Sequence, residues 1–469
     1  MSKTNIKNMT EGNITSQLIL FALPMFIGNL FQQFYNMIDS IVVGRFVNAR
    51  ALGAVGAVGS INFLLFSFAM GLGNGIGILV SQYFGAGDDK MVKKIIANSF
   101  YASLSVGGLV SIIGVVFSKE ILLFMKLPKE NFDYAYTYMV ILTAATFVVS
   151  LYNTISSILR ALGDSKTPLY ILIGSSLLNV GLDLLFVIYF HMEVKGVAIA
   201  TIIAQIISAV GALIIAFKTN KYFKLEKEDW ELDWSIIGKS FQIGVPLSLQ
   251  MSLIAVSTIA LQRFVNAQGA IVMAAFTATG RVEQLVHQPF SSLGMAISTF
   301  TGQNIGAGKL DRAKKGLTNG IVMVAAISVV MFFIMTIFGK EIVSIFIDDE
   351  TEVIEIGAKA LGITSTMYIG LGLIYVIRGM LNGAGDAMFA LLNGIVEVIG
   401  RIGFAMILMS IPSMGIWGLW YTNGFTWVLT AIMSIIRYAM GGWKKKAFAI
   451  VETDSSETVE KDESEMDIY

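Results

Sequence analysis

Apolar stretches of roughly twenty residues or more, separated by short polar breaks, run through almost the whole chain. Twelve of them are long enough to cross the roughly 30 Å hydrocarbon core of a bilayer as single helices. They fall near 17–43, 52–80, 95–117, 134–159, 169–190, 195–217, 239–264, 269–300, 316–338, 353–380, 388–410 and 414–440. One polar interruption is long: Lys218 to Trp234 (KTNKYFKLEKEDWELDW), at the middle of the chain. The pattern therefore divides into a polar segment 1–16, a first lobe 17–217 with six spans, a charged linker 218–238, a second lobe 239–440 with six more, and a tail 441–469. The tail opens on Lys444, Lys445 and Lys446 and continues acidic and Ser-containing. Its apolar content is too low to fold, and it is expected to be disordered. The expected class is an all-α polytopic membrane protein.

The two halves repeat each other. Leu23-Pro24 answers Val245-Pro246, and Arg45-Phe-Val-Asn-Ala49 answers Arg263-Phe-Val-Asn-Ala267. Gln82-Tyr-Phe-Gly-Ala-Gly87 answers Gln303-Asn-Ile-Gly-Ala-Gly308, and Arg160-Ala-Leu-Gly-Asp164 answers the longer Arg378–Asp386. The offset stays between 218 and 222 residues. Six spans bring both copies back to one side, so the repeats are parallel, related by an axis along the membrane normal. Basic residues crowd the even-numbered loops, among them Lys90, Lys93, Lys94, Arg160, Lys166, Lys218, Lys221, Lys309, Arg312, Lys314 and Lys315. By the positive-inside bias both termini are expected in the cytoplasm, and the chain in the cell membrane. Proline removes an intrahelical donor and clashes one turn back, so the first span is expected to bend or start near Pro24.

Composition agrees and narrows the classes. The chain is 55% hydrophobic and 14% charged, against roughly 25% charged in soluble proteins, and its mean hydropathy is +0.71. Net charge is zero, which offers no basic surface for nucleic acid. Without cysteine there are no disulfides and no thiolate metal or thiol chemistry, and two histidines, His191 and His287, are too few and scattered for zinc or haem. The first apolar run lacks a small-residue cleavage site and reads as a spanning helix.

Against this apolar background the intramembrane acids stand out. The run Leu169–Phe190 holds one ionisable residue, Asp183, with Asn179 one turn before it on the same face. A carboxylate at membrane depth is costly unless it faces a partner or a cavity. Asp183 and Asn179 are either a hydrogen-bonding pair that locks helices or an ion or proton site on a transport path. In the first span Gln32, Tyr35 and Asp39 share a face, and in the sixth Thr201 and Gln205 lie one turn apart. At 1.5 Å per residue, Asp183 and Thr201 both sit roughly 10 Å below the outer surface, with Asp39 shallower. The three spans can thus gather oxygen ligands for a hard cation such as sodium, or a protonatable carboxylate. Asp39 alone also reads as an interfacial acid bonded to Arg45. The second half departs at the same depth, where Glu397 and Arg401 form an i,i+4 pair that can neutralise itself. Glu283, beside Arg281, invites the same structural reading. Asp164 and Asp386 are expected to cap the helices that follow them.

These features resemble the multidrug and toxic compound extrusion (MATE) family. The resemblance is carried by Leu23-Pro24 through Tyr35-Asn36-Met37-Ile38-Asp39 to Val43-Gly44-Arg45, by the Gly85-Ala-Gly87 and Gly306-Ala-Gly308 turns, by Arg160–Asp164 and by Asn179-Val-Gly-Leu-Asp183. It spans about residues 15 to 440. It implies two six-helix lobes in a V, and export of organic cations or amphipathic drugs by alternating access in exchange for inward protons or sodium ions. The gradient is the only driving force implied, with no cofactor, and the expected unit is a monomer in the bilayer. The family's coupling roles fall on Asp39, Asn179, Asp183 and Thr201, and substrate contacts on Gln32, Tyr35, Asn36, Asn153 and Gln205. The acid that another branch carries in its tenth span is missing from Thr364–Tyr368, which leaves open whether Glu283 and Glu397 take part in coupling. Two rivals remain. A lipid-linked precursor flippase of related architecture calls for a strongly cationic cavity, whereas the intramembrane bases Arg281, Lys359 and Arg401 each have an acid nearby in sequence. A membrane-embedded enzyme needs a nucleophile–base or metal constellation, and the sequence offers none.

Overall fold

A computed structural model describes residues 6–125, 127–347 and 350–445. The expected tail from Lys446 onward lies outside the described residues. Among the described residues the chain is helical between turns, with no strand. The first half comprises α1 (Ile14–Phe46), α2 (Ala49–Ala86), α3 (Asp89–Val116), a short α4 (Ser118–Phe124), α5 (Lys129–Ala144), α6 (Thr146–Ala161), α7 (Lys166–Leu184) and α8 (Glu193–Thr219). The second comprises α9 (Trp234–Asn266), α10 (Ala270–Gly306), α11 (Leu310–Ile337), a short α12 (Gly339–Ser344), α13 (Thr351–Ser365), α14 (Tyr368–Gly383), α15 (Met388–Met409) and α16 (Gly418–Ala439).

The repeat extends to the irregularities. α5 and α6 meet at a 48° bend and form the fourth expected span, and α13 and α14 meet at 49° and form the tenth. Each broken span is preceded by a short helix, α4 or α12, at the far end of a long one. Among the described residues, nine of these helices are singly long and apolar enough to cross a membrane, and eleven spans result if each bent pair counts as one. The twelfth by position is α10, whose hydropathy is lowered by Arg281, Glu283, Gln284, His287 and Gln288.

The linker is shorter than expected and lies against the first lobe. α8 continues through Thr219, and α9 starts at Trp234. Between them the chain makes two short 3-10 turns, and Tyr222 and Phe223 are buried. Lys221 and the Tyr222 hydroxyl both reach Asp89 at 2.7 Å, and Lys94 reaches Asp233 at 2.8 Å. Asp233 also caps α9, accepting from Ser235 N–H at 2.9 Å and Ile236 N–H at 3.2 Å. Burial alone would raise the Asp233 carboxyl, but the Lys94 ammonium and these N–H groups outweigh it and hold it below its usual range. A depressed carboxyl stabilises the folded state above the ordinary carboxylate range, and the benefit disappears as the pH falls through it. Asp233→Ala is therefore expected to cost about 1 kcal/mol of stability at neutral pH. Thermal unfolding in detergent should show that gap closing in acid.

Packing explains why the two halves form one unit. The near half of α1 (Leu18, Phe21, Met25) is buried in a core built mostly by α10, α11, α14 and α16 of the second lobe. The near half of α9 (Ile236, Ile243, Leu247) is buried in the core of α2, α3, α6 and α8 of the first. Toward their far ends the same helices return to their own lobes, through Val42 and Val43 of α1 and Leu261 and Val265 of α9. Each lobe's first helix thus exchanges its near half with the partner lobe, as a pseudo-twofold axis requires.

The exchange demands close backbone approach. A methyl group on Gly75 would stand 2.7 Å from the Gly244 nitrogen, and one on Gly85 would strike the Gln303 backbone. Ser67 and Ser252 hydrogen bond across the same seam at 2.9 Å, and Gln82 donates to the Gly383 carbonyl at 2.8 Å. Along α2 the contrast is plain: residues 76–83 are buried, whereas Leu52, Phe63 and Leu64 are exposed. The lobes are closed on the face that carries the start of α1 and the end of α16, called the terminal face below, and splay toward the opposite one, the far face.

Candidate functional site

α1, α7 and α8 meet in the far half of the first lobe. Asp183 is fully buried on α7, and Asp39 is 8% exposed on α1. Their carboxylates face each other within hydrogen-bonding reach. With the Asn179 amide turned to suit its neighbours, its nitrogen donates to Asp39 Oδ1 at 3.1 Å and its oxygen accepts from the Thr201 backbone N–H at 3.3 Å. The Thr201 hydroxyl donates to the Val197 carbonyl at 2.9 Å. Four residues that spacing and the family resemblance together single out are thus brought together. Asp39 turns toward α7, which displaces the reading that bonds it to Arg45. Immediately after Asp183 the helix widens into a π-helical turn, Leu185–Tyr189, the kind of irregularity that often accompanies functional sites. Val187 of that turn packs with Val42, Val43, Val194 and Val197 in the core of the lobe's far half.

Tyr35 lies within electrostatic reach of the two acids, as does Tyr138 of α5, which is 7% exposed. Sequence reading missed Tyr138. It lies in a run with Tyr134 and Tyr136; Tyr134, one turn before it, packs against the same core, whereas Tyr136 is exposed. Gln32 and Asn36 are exposed on α1, on the near side of Asp39. Asn36 offers its carbonyl to the Ser40 hydroxyl at 3.0 Å. Gln205 lies one turn nearer than Thr201, and its buried Oε1 has no hydrogen-bond partner. Asn153 lies apart from this group, where α6 crosses α2 at Gly73, and donates to its own Val149 carbonyl at 2.9 Å.

The second lobe is built differently at the matching depth. Arg401 donates to Glu397 at 2.9 Å, and both side chains are buried. Arg401 also donates to Ser257 at 2.8 Å and Thr258 at 3.0 Å, so the pair ties α15 to α9. Glu283 does not pair with Arg281, because residues two apart point to different sides of a helix. It faces Thr364 and the Arg401 charge, and its Oε1 has no partner. His287 contacts the Tyr375 hydroxyl at 3.2 Å. Lys359 does not find an acid either: its ammonium lies 4.2 Å over the Trp417 ring, and Glu355 pairs with Lys340. Asp164 does cap α7, accepting from Lys166 and Thr167 N–H at 3.1 and 2.9 Å, while Asp386 is engaged by Arg437 at 2.8 Å.

Comparison with known proteins gives one consistent result. The chain matches the MatE family over residues 24–185 and 246–409, one match per lobe. It is 28% identical over 447 residues to the probable multidrug resistance protein YoeA of Bacillus subtilis (strain 168), covering 93% of this chain and 96% of that one. It is 30% identical over 443 residues to the probable multidrug resistance protein YpnP of the same organism, covering 93% and 97%. Its fold superposes with a TM-score of 0.86, at 22% identity and covering 95% and 98%, on the solved outward-facing conformation of a multidrug resistance MATE family transporter of the MOP superfamily.

Proposed function

The chain belongs to the MatE family of multidrug efflux transporters, and from that premise we propose that it is a cation-coupled antiporter. In this reading it exports organic cations or amphipathic drugs across the cell membrane, as a monomer with both termini in the cytoplasm, by alternating access. The observation that carries the proposal is the buried Asp39–Asp183 pair with Asn179 and Thr201 beside it. Two anionic carboxylates at this separation repel strongly in a medium of low dielectric constant, so a shared proton or a small cation between them is strongly favoured. Antiport requires that ion and drug bind the two facing states with different affinity. The pair supplies that difference: bridged, it draws the far half of α1 against α7, and unbridged, it offers a free negative charge to a cationic substrate.

The helix exchange gives this local event a long reach. α1 carries Asp39 in its far half, inside the first lobe, and Leu18, Phe21 and Met25 in its near half, inside the second. A shift of its far half relative to its near half changes how the lobes meet. In the proposed orientation the open far face is external, where an exporter receives its driving ion. Gln32, Tyr35, Asn36, Asn153 and Gln205 are assigned to substrate along that path. The test is efflux of a cationic dye by inverted vesicles with a proton gradient and a sodium gradient imposed separately. Dye movement that follows one gradient identifies the coupling ion; movement indifferent to both removes antiport.

Pro24 sits where α1 passes between the two lobes. The helix runs through it, having started ten residues earlier at Ile14, so the span does not begin there. The proline leaves the Leu20 carbonyl without an intrahelical donor, a weak point for bending. Pro24→Ala should slow efflux several-fold with unchanged amounts of protein in the membrane. Wild-type rates in that variant would take Pro24 out of the transport cycle.

A further inference from the structure

The chain ahead of α1 is bonded into the seam between the lobes. Met9 is 1% exposed and shares its core with Phe300 of α10 and Leu18 of α1. Its N–H donates to Gln303 Oε1 at 2.8 Å, and its carbonyl accepts from Asn304 Nδ2 and Arg312 Nε, each at 3.2 Å. Lys309 reaches the Thr10 carbonyl at 3.1 Å, and Arg312 reaches that of Glu11 at 2.9 Å. These contacts all belong to the second lobe. On its other side the segment holds the first: Lys7 N–H donates to the Leu162 carbonyl at 3.3 Å. Gln303 completes the bridge, since its Nε2 donates to the Ala161 carbonyl at 2.8 Å. Gly163 turns at φ +85° directly under the segment, and any side chain there would collide with the Lys7 carbonyl.

We propose that Lys7–Glu11 is a strap that fastens the end of α6 to α10 and α11, holds the lobes closed on the terminal face, and must let go when that face opens. Separating the lobes there breaks the Lys7–Leu162 and Gln303–Ala161 bonds. It also strips these donors from the carbonyls of Ala161 and Leu162, which the closed arrangement buries, and unsatisfied buried groups are costly. The strap therefore biases the resting protein toward the far-open state, and anything that displaces it favours the opposite one. This inference rests on the alternation proposed above but uses residues outside the ion site.

The chain has no cysteine, so spin labels can be placed without altering native thiols. Lys90→Cys and Lys315→Cys, both exposed on the terminal face of opposite lobes, report the width of that face by pulsed electron resonance in lipid nanodiscs. Two variants test the strap. In one, Lys7–Glu11 is replaced by five residues of Gly and Ser. In the other, Met9→Pro removes the N–H that Gln303 accepts while changing no helix. Both are expected to raise the wide-distance population at least threefold over the labelled parent, the replacement more than the proline. Distance distributions identical to the parent in both variants overturn the strap, whether the parent shows one distance or two. A parent with one distance under every ion gradient, together with variants that widen, counts instead against alternation in the unmodified protein and leaves the strap standing.

Discussion

Asp183→Asn is expected to abolish gradient-driven efflux of a cationic dye, and Asp39→Asn to do nearly the same, although both proteins still insert in the membrane. The magnitudes support so large an effect. Swinging a two-state equilibrium from 1:99 to 99:1 takes a differential affinity of about 10⁴, or about 5.5 kcal/mol. A unit charge pair at 4 Å is worth about 4 kcal/mol at an effective dielectric constant of 20. One carboxylate of the pair therefore supplies most of what the cycle needs, and no other acid of α1, α7 or α8 lies beside them to substitute. Asparagine keeps the shape and a hydrogen-bonding oxygen, so the loss isolates charge from packing. The measurement is efflux from cells, normalised to the transporter in the membrane, with a fall of at least about tenfold expected for Asp183→Asn. Normal efflux in that variant, with loss confined to Glu397→Gln, would move coupling to the second lobe.

Arg401→Ala is expected to act on the fold and not on coupling. Both charges of the Glu397–Arg401 pair are buried, and the guanidinium also holds Ser257 and Thr258 of α9. Removing one member of a buried pair leaves an uncompensated charge and costs about 3–5 kcal/mol. That corresponds to a melting temperature lower by on the order of 10 °C, with reduced amounts in the membrane. Glu397→Gln should fall between this variant and the wild type, because it keeps a hydrogen-bond acceptor for Arg401. Efflux per folded molecule should keep its dependence on the gradient. An Arg401→Ala protein that melts like the wild type but transports nothing would place the pair in the transport path.

The two predictions separate because the lobes, equal in outline, are not equal in chemistry. α7 and α15 descend from matching positions, yet Asn179 and Asp183 face another helix's carboxylate where Glu397 and Arg401 satisfy each other. Glu283 complicates the second lobe: it faces Thr364 and Arg401, with one oxygen unpartnered. Its exposure to the Arg401 charge makes it the residue to watch in the Arg401→Ala protein, whose α10 would lose that neighbour.

The sequence alone determined which segments leave water, because a run of some twenty apolar residues has nowhere else to go. It also determined the repeat, which needs only identity at a fixed offset. It even placed Asp183 and Thr201 at one depth, with Asp39 a little shallower, since helical rise converts position into height and a carboxylate stands out against apolar neighbours. It did not show which helix lies beside which. A helix apolar on all sides carries no directional signal, so the exchange of α1 and α9 between lobes appeared only in the packing. For the same reason Tyr138 went unnoticed, and Glu283 and Lys359 were given sequence neighbours as partners when geometry assigns Thr364 and the Trp417 ring. The strap was hidden more completely. Its contacts run through backbone N–H and carbonyl groups, which every residue possesses, and what makes Lys7–Glu11 special is that Gln303, nearly three hundred residues later, is folded to meet it.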